Sequence, residues 1–207
     1  MSINTESVNR QVYNLIKKDI LERKMKPGER IDTKSIAKEN NISVMPVRNA
    51  LQKLTAKGLV INRERVGFYV RSFSEKELTE ILDVRRMFEL HCVQNYLPNI
   101  DKDFARTLLK GIEDAQESAE LDALDHEMHD MIICASNNAF LIKEYRNMDA
   151  LFALGLYGGS PECVNIAKRE HIAVLRAILD NDVKQTTKYL REHLERAELE
   201  IVEIYKK

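Results

Sequence analysis

Four residues in the second half of the chain carry side chains able to do chemistry together: Asp125, His129, His171 and His193. Asp125 and His129 are four positions apart, so on a helix both project into the same space. Leu121, Leu124, Met128 and Ile132 share their face. His171 falls in the apolar stripe of Ala167, Val174, Leu175 and Ile178, and His193 lies beside Leu190 and Ala197 in a last stripe that runs through Leu194, Ile201 and Ile204. An isolated carboxylate on such a face costs on the order of several kcal/mol unless it is paired or bound to a metal. One histidine there is more often a core residue with its hydrogen bonds satisfied. Three imidazoles and a carboxylate on converging faces suit a divalent transition metal such as Zn, Ni or Mn. A metal-free polar pocket for an organic ligand uses the same residues, and that reading stays open. So does a metalloenzyme with a water nucleophile in an open coordination position, although no obvious general base beyond the four residues stands near the motif. His91 and His126 share none of these faces.

The elements that must position this set are helices. After about residue 74 the pattern is helical to the end, with spans expected near 74–98, 102–118, 121–136, 138–157, 163–180 and 183–206. Pro98-Asn99, Gly158-Gly159-Ser160-Pro161 and Asp180-Asn181-Asp182 separate them. Ser74 and Glu77 form a capping-box pair at the start. Arg85 lies on the inward stripe of Leu78, Leu82, Glu89, Cys92 and Tyr96. It can pair with Glu89 four residues on, or aim its planar two-pronged guanidinium at the carboxylate of an effector. Asn138, with Tyr145 and Arg146, is a weaker candidate for the same pocket, and a surface or helix-end role suits each of them better.

The first 72 residues read differently. They hold 15 Lys and Arg against 7 Asp and Glu, a net +8, whereas the rest holds 17 against 26, a net −9. A basic domain joined to an acidic one points the first part at a polyanion and keeps the second away from it. Residues 6–24 are amphipathic, with Val8, Val12, Leu15, Ile16 and Ile20 on one face, and Met25-Lys26-Pro27-Gly28 stops that helix. Glu29-Arg30-Ile31 is a candidate short strand. Asp32 or Thr33 caps a helix that ends near Glu39, and Asn40-Asn41 makes a turn, because Asn tolerates left-handed geometry. Ser43 can cap a second helix with Pro46 in its first turn, a buried stripe of Val47, Ala50, Leu51 and Leu54, and Gly58 at its end. Two short helices joined this tightly form a helix-turn-helix, whose second helix enters the major groove. Leu59–Asn62 and Phe68–Arg71 read as strands around a tip containing Arg63, Arg65 and Gly67, a basic wing.

The run Pro27-Gly28, Ile36-Ala37, Ile42-Ser43, Pro46-Val47-Arg48, Ala50-Leu51, Gly58-Leu59-Val60 and Gly67 resembles the DNA-binding domain of GntR-family transcription regulators. The family commonly has Arg where this chain has Val44, Thr where it has Met45, and Glu where it has Asn49, so its usual operator does not transfer. Asp125, Met128 and His129, then Ser136-Asn137-Asn138, Glu170-His171 and Arg191-Glu192-His193, together with Val84-Arg85-Arg86 and Glu89, resemble the FCD domain of the family's FadR-like branch. In its metal-binding members one Asp and three His hold the ion, and all four positions are filled here.

The expected fold is mainly α: a winged helix-turn-helix over residues 1–72, then an all-helical bundle over 73–207 that binds effector and dimerises. The expected function is that of a transcription regulator, in the family's manner a repressor, rather than an enzyme. Its partners would be a double-stranded DNA operator, a second copy of the chain and a small organic-acid effector; an alternative makes the ion itself the signal. Lys34, Ser43, Val44, Met45, Arg48, Lys53, Arg63, Arg65 and Gly67 would meet DNA, with Lys57 also near phosphate. Arg48 is the candidate guanine reader and Val44 and Met45 would touch thymine methyls. No apolar run approaches the roughly 20 residues of a membrane span. The first residues show no secretion signal, so a cytoplasmic protein is expected. Cys92, Cys134 and Cys163 have no disulfide or zinc-ribbon spacing.

Overall fold

A computed structural model describes residues 8–155 and 161–206. The chain divides into two compact units, Met1–Ser74 and Glu75–Lys207.

In the first unit, α1 (Val8–Leu21) buries Val12, Ile16, Ile20 and Leu21 and packs on α3 (Val44–Ala56). Val8 and Leu15, expected on the buried face, are 48% and 37% exposed. The helix stops three residues before the expected 24, where Arg23 takes a left-handed φ of 59°. The Asp32 carboxylate caps α2 (Thr33–Glu39) by accepting from the Lys34 and Ser35 N–H groups. Asn41 takes the left-handed turn (φ 52°), which lets Ile42 N–H donate to Ala37 O at 3.0 Å.

Val47, Ala50, Leu51 and Leu54 of α3 are all 0% exposed, which holds the opposite face outward. Ser43 occupies the N-cap position of α3 with its side chain making no capping bond. At the other end Gly58 (φ 78°) allows its N–H to reach Thr55 O and Leu59 N–H to reach Leu54 O, both at 3.0 Å. Leu54 and Leu59, both fully buried, meet the core there. The wing is β1 (Val60–Arg63) antiparallel to β2 (Gly67–Val70), with Val60 opposite Val70 and Arg63 opposite Gly67. Residues 29–31 are reduced to a bridge of Arg30 to Tyr69 beside it.

Among the described residues the second unit is entirely helical. Its helices are α4 (Glu75–Tyr96), α5 (Lys102–Asp114), α6 (Ser118–Cys134), α7 (Ala139–Asn147), α8 (Asp149–Phe152), α9 (Pro161–Leu179) and α10 (Val183–Lys206). Short 3-10 turns follow α4 and α8. The single helix expected over 138–157 is instead broken at Met148, which caps both α7 and α8. The break leaves Tyr145 and Phe152 in contact, ring centres 5.1 Å apart, inside the core. The expected Gly158-Gly159 breaker lies outside the described residues.

Helix α10 packs on α4 and α9, α9 on α5, and α6 on α4, α5 and α9. Their shared core includes Leu108, Ile112, Met128, Ile132, Leu175 and Leu190. Each such side chain contributes roughly 1.5–3 kcal/mol by leaving water. Within this apolar interior Arg85, Glu89, Asp125, His129, His171 and His193 are also buried.

Candidate metal centre and nucleic-acid interface

The second unit brings all four proposed ligands together. Asp125 and His129 come from successive turns of α6, His171 from α9 and His193 from α10. One donor atom from each lies within 4.8 Å of the others. His171 Nε2 is 3.0 Å from Asp125 Oδ1 and 3.2 Å from His193 Nε2, and His129 Nε2 is 3.5 Å from Asp125 Oδ1. Bonds of about 2.0–2.2 Å to one ion place donor atoms at most about 4.4 Å apart, so shifts of a few tenths of an ångström complete a coordination shell.

Two further carboxylates set the direction of the rings. Glu89 of α4 places Oε2 2.5 Å from His129 Nδ1, and Glu170 of α9 places Oε2 2.9 Å from His193 Nδ1. A proton on each Nδ1 satisfies these pairs and turns the Nε2 lone pairs to the centre, the arrangement that orients metal-bound imidazoles. His129 Nε2 is buried without a hydrogen-bond partner. A buried ring nitrogen left this way is costly, and a cation in the centre satisfies it. The residues fit a divalent ion.

Electrostatics favour the ligand forms at two positions. Burial pushes the Asp125 carboxyl up, but His129 and His171 outweigh it and hold the group well below the carboxylate range. Burial, with His171 and His129 nearby, holds His193 well below the usual imidazole value and so neutral. Burial opposes charge on His129, but Glu89 draws its proton affinity upward, so an entering metal displaces a proton there. Glu89 itself, despite burial, is held down to about 2 by His129 and Arg85.

Arg85 makes the pair expected with Glu89. Its Nε donates to Glu89 Oε1 at 2.7 Å, and Arg85 also lines a cavity of about 80 Å³ with Asp125, His171 and His193. Leu121, Val164, Ala167, Ala197 and Ile201 give that cavity an apolar wall, with Lys168 and Arg196 also lining it. Asn138 is elsewhere: it is exposed, its Oδ1 caps α7 by accepting from Phe140 and Leu141 N–H groups, and it does not line the cavity. The helix-end role, the expected alternative to an effector contact, is the one Asn138 fills. Tyr145 donates its hydroxyl to Glu89 Oε1 at 2.7 Å, while Arg146 forms a surface pair with Asp130. The bonds of Glu89 and Glu170 to the histidines were not foreseen from the sequence. The available signals were Glu89 one turn beyond Arg85 and Glu170 adjacent to His171.

In the first unit Lys34, Arg48, Arg63, Arg65 and Gly67 line one concave surface, joined by Arg30, which was expected only as a strand residue. Arg30 Nη2 donates to Val66 O at 3.0 Å and fastens the wing tip. Arg65 (φ 60°) and Gly67 (φ 132°) make the tip's tight turn. Arg63 lies 4.2 Å from the Tyr69 ring centre. Ser43, Met45 and Lys53 are exposed and Val44 is half-buried, all outside that concave lining.

Residues 8–70 match the model of the bacterial regulatory proteins of the gntR family, and residues 80–196 match the FCD domain. The chain belongs to the GntR family. A curated relative, the HTH-type transcriptional regulator YdhC of Bacillus subtilis (strain 168), is 30% identical over 138 residues. That match spans 63% of this chain and 62% of the relative, less than two thirds of its length. Among solved structures, McbR/YncC of E. coli superposes with a TM-score of 0.79 at 22% identity, covering 97% of this chain and 100% of that one. The Zn2+-bound FCD domain of TM0439 superposes with a TM-score of 0.57 at 24% identity, covering 64% of this chain and 96% of that one. At these identities the two structures show a shared fold. Among the described residues, no helix of this GntR-family chain is long and apolar enough to cross a membrane.

Proposed function

We propose that this protein is a DNA-binding transcription regulator whose helical unit holds one divalent transition-metal ion and a small organic acid. Residues 1–72 are the DNA-binding domain, and residues 73–207 bind effector and form a homodimer. The observation that carries the reading is the convergence of Asp125, His129, His171 and His193, with the His129 Nε2 left unsatisfied, in a domain joined to a winged helix-turn-helix. The Zn2+ bound to the TM0439 domain supports zinc as one candidate, beside nickel and manganese.

In this reading Asp125 and the three Nε2 atoms hold the ion, which supplies a Lewis-acidic point for an acid's carboxylate or hydroxyl. Glu89 and Glu170 fix the rings, and Arg85 offers its guanidinium to the acid from the cavity edge. The exposed Arg48 of α3 reads base edges, while Lys34, Lys53, Arg63 and Arg65 neutralise phosphates. The acid changes operator affinity only through its different affinity for the two dimer arrangements. Repression relieved by the acid is the sense proposed.

The test is binding of the metal-loaded chain to duplex DNA from its own promoter region, with small organic acids added in turn. Salt-sensitive binding that one acid weakens supports the reading. Binding that responds to metal alone and to none of the acids makes the ion the signal.

A further inference from the structure

We infer that Met45 is a base reader, and that it selects the C5-methyl group of thymine in the operator's major groove. The inference rests on the DNA-binding reading above and gives that site a chemical preference.

Met45 is 64% exposed, on the same helix whose Val47, Ala50, Leu51 and Leu54 are all 0% exposed. At about 100° per residue it lies roughly 160° round α3 from Val47, opposite the buried stripe. Its place in the first turn is the part of a recognition helix that meets base edges. Up to Leu54, the other exposed residues within about 60° of it round the helix are Arg48 and Gln52, with Asn49 half-buried beside them. Each has a known type of partner in the major groove: guanidinium with guanine, amide with adenine. A carboxylate, the acceptor suited to the cytosine amino group, is absent from these four positions.

A thioether is only a weak hydrogen-bond acceptor and no donor, so it gains little from the polar groups of base edges. The one apolar feature the groove presents is the thymine methyl. The surface next to Arg48 carries Arg30, Lys34, Arg63 and Arg65, so the neighbouring charge suits a polyanion. Met45 therefore faces a duplex, and within a duplex it faces thymine. The flexible, unbranched side chain can follow a methyl group without a fixed rotamer. Asn49, one helical turn on, is placed to bond the adenine of the same or the adjacent pair.

The experiment selects the tightest duplexes from a random-sequence pool with the purified full chain, then replaces each thymine of a selected duplex by deoxyuridine, one position at a time. Removing one buried methyl should weaken binding about fourfold. The expected result is at least one such thymine per half-site. Its thymine-to-uracil ratio should fall to near one in Met45→Ala and be retained in Met45→Leu. Met45 is exposed, so both variants should keep the wild-type melting temperature. The inference is overturned if no thymine is sensitive to loss of its methyl, or if Met45→Ala keeps the ratio. In both cases salt-dependent binding to the duplex persists and the DNA-binding reading stands. If no duplex is enriched and none binds at low salt, both readings fall together.

Discussion

Glu89 Oε2 lies 2.5 Å from His129 Nδ1 across the interface of α4 and α6. The other oxygen of the same carboxylate accepts from Arg85 Nε and from the Tyr145 hydroxyl, each at 2.7 Å. One fully buried carboxylate thus ties a proposed metal ligand to a proposed effector-binding arginine and to α7. Replacing it by Gln keeps the shape but weakens the acceptor. Glu89→Gln should lower metal affinity about 10- to 100-fold, the usual effect of removing an orienting partner. Competition with a metal chelator reads this directly, and unchanged affinity would show that Glu89 serves Arg85 alone.

Glu89→Ala should behave differently, because it strands a buried guanidinium. Arg85 has only 8% of its side chain exposed. Removing one partner of a buried pair costs about 3–5 kcal/mol. Urea unfolding of the apo protein should show a loss of that size, while Glu89→Gln loses much less. Equal losses would mean that the charge of Glu89 is not what the site needs.

Metal should stabilise the helical unit. An ion at a concentration 100 times its dissociation constant adds about 2.7 kcal/mol if only the folded chain binds it. In a chain of this size that raises the melting temperature by roughly 5–10 °C. Chelator should reverse the shift. His171→Ala should melt at the same temperature with and without metal, and a metal shift that survives this substitution would move the ion elsewhere.

The proposed DNA surface separates into readers and neutralisers. Arg48→Ala should cost about 1–3 kcal/mol in affinity for a specific site and relax its sequence preference. Alanine at Lys34, Arg63 or Arg65 should weaken all duplexes alike and reduce the slope of log affinity against log salt by about 0.9 for each phosphate no longer neutralised. An Arg48→Ala variant with the wild-type preference would put the recognition surface on another element.

Much of this was legible because local rules and the tertiary outcome agree. Asp32 at the start of α2, Asn41 in the turn and Gly58 after α3 each satisfy a backbone requirement that few residue types meet well, and each is found doing so. Asp125 and His129 share a face by helical spacing alone. Their convergence with His171 and His193 followed from the apolar stripes around them. What the sequence hid was pairing over distance. Glu89 looked like a local partner of Arg85, and nothing within one helix announces a bond to a histidine 40 residues on. The break at Met148 was hidden too, because it has no Pro or Gly; burying Tyr145 and Phe152 together turns the chain there. Asn138 could be read as a pocket residue or a helix end, and its amide oxygen serves the first turn of α7.

Whether the helical unit is a metal centre is decided by the metal content of the purified full chain, measured after loading with zinc, nickel or manganese and removal of excess. One tightly held divalent ion per chain is expected, and none in His171→Ala or Asp125→Ala. A chain that retains no ion, or variants that retain as much as the parent, would contradict the metal centre proposed for Asp125, His129, His171 and His193.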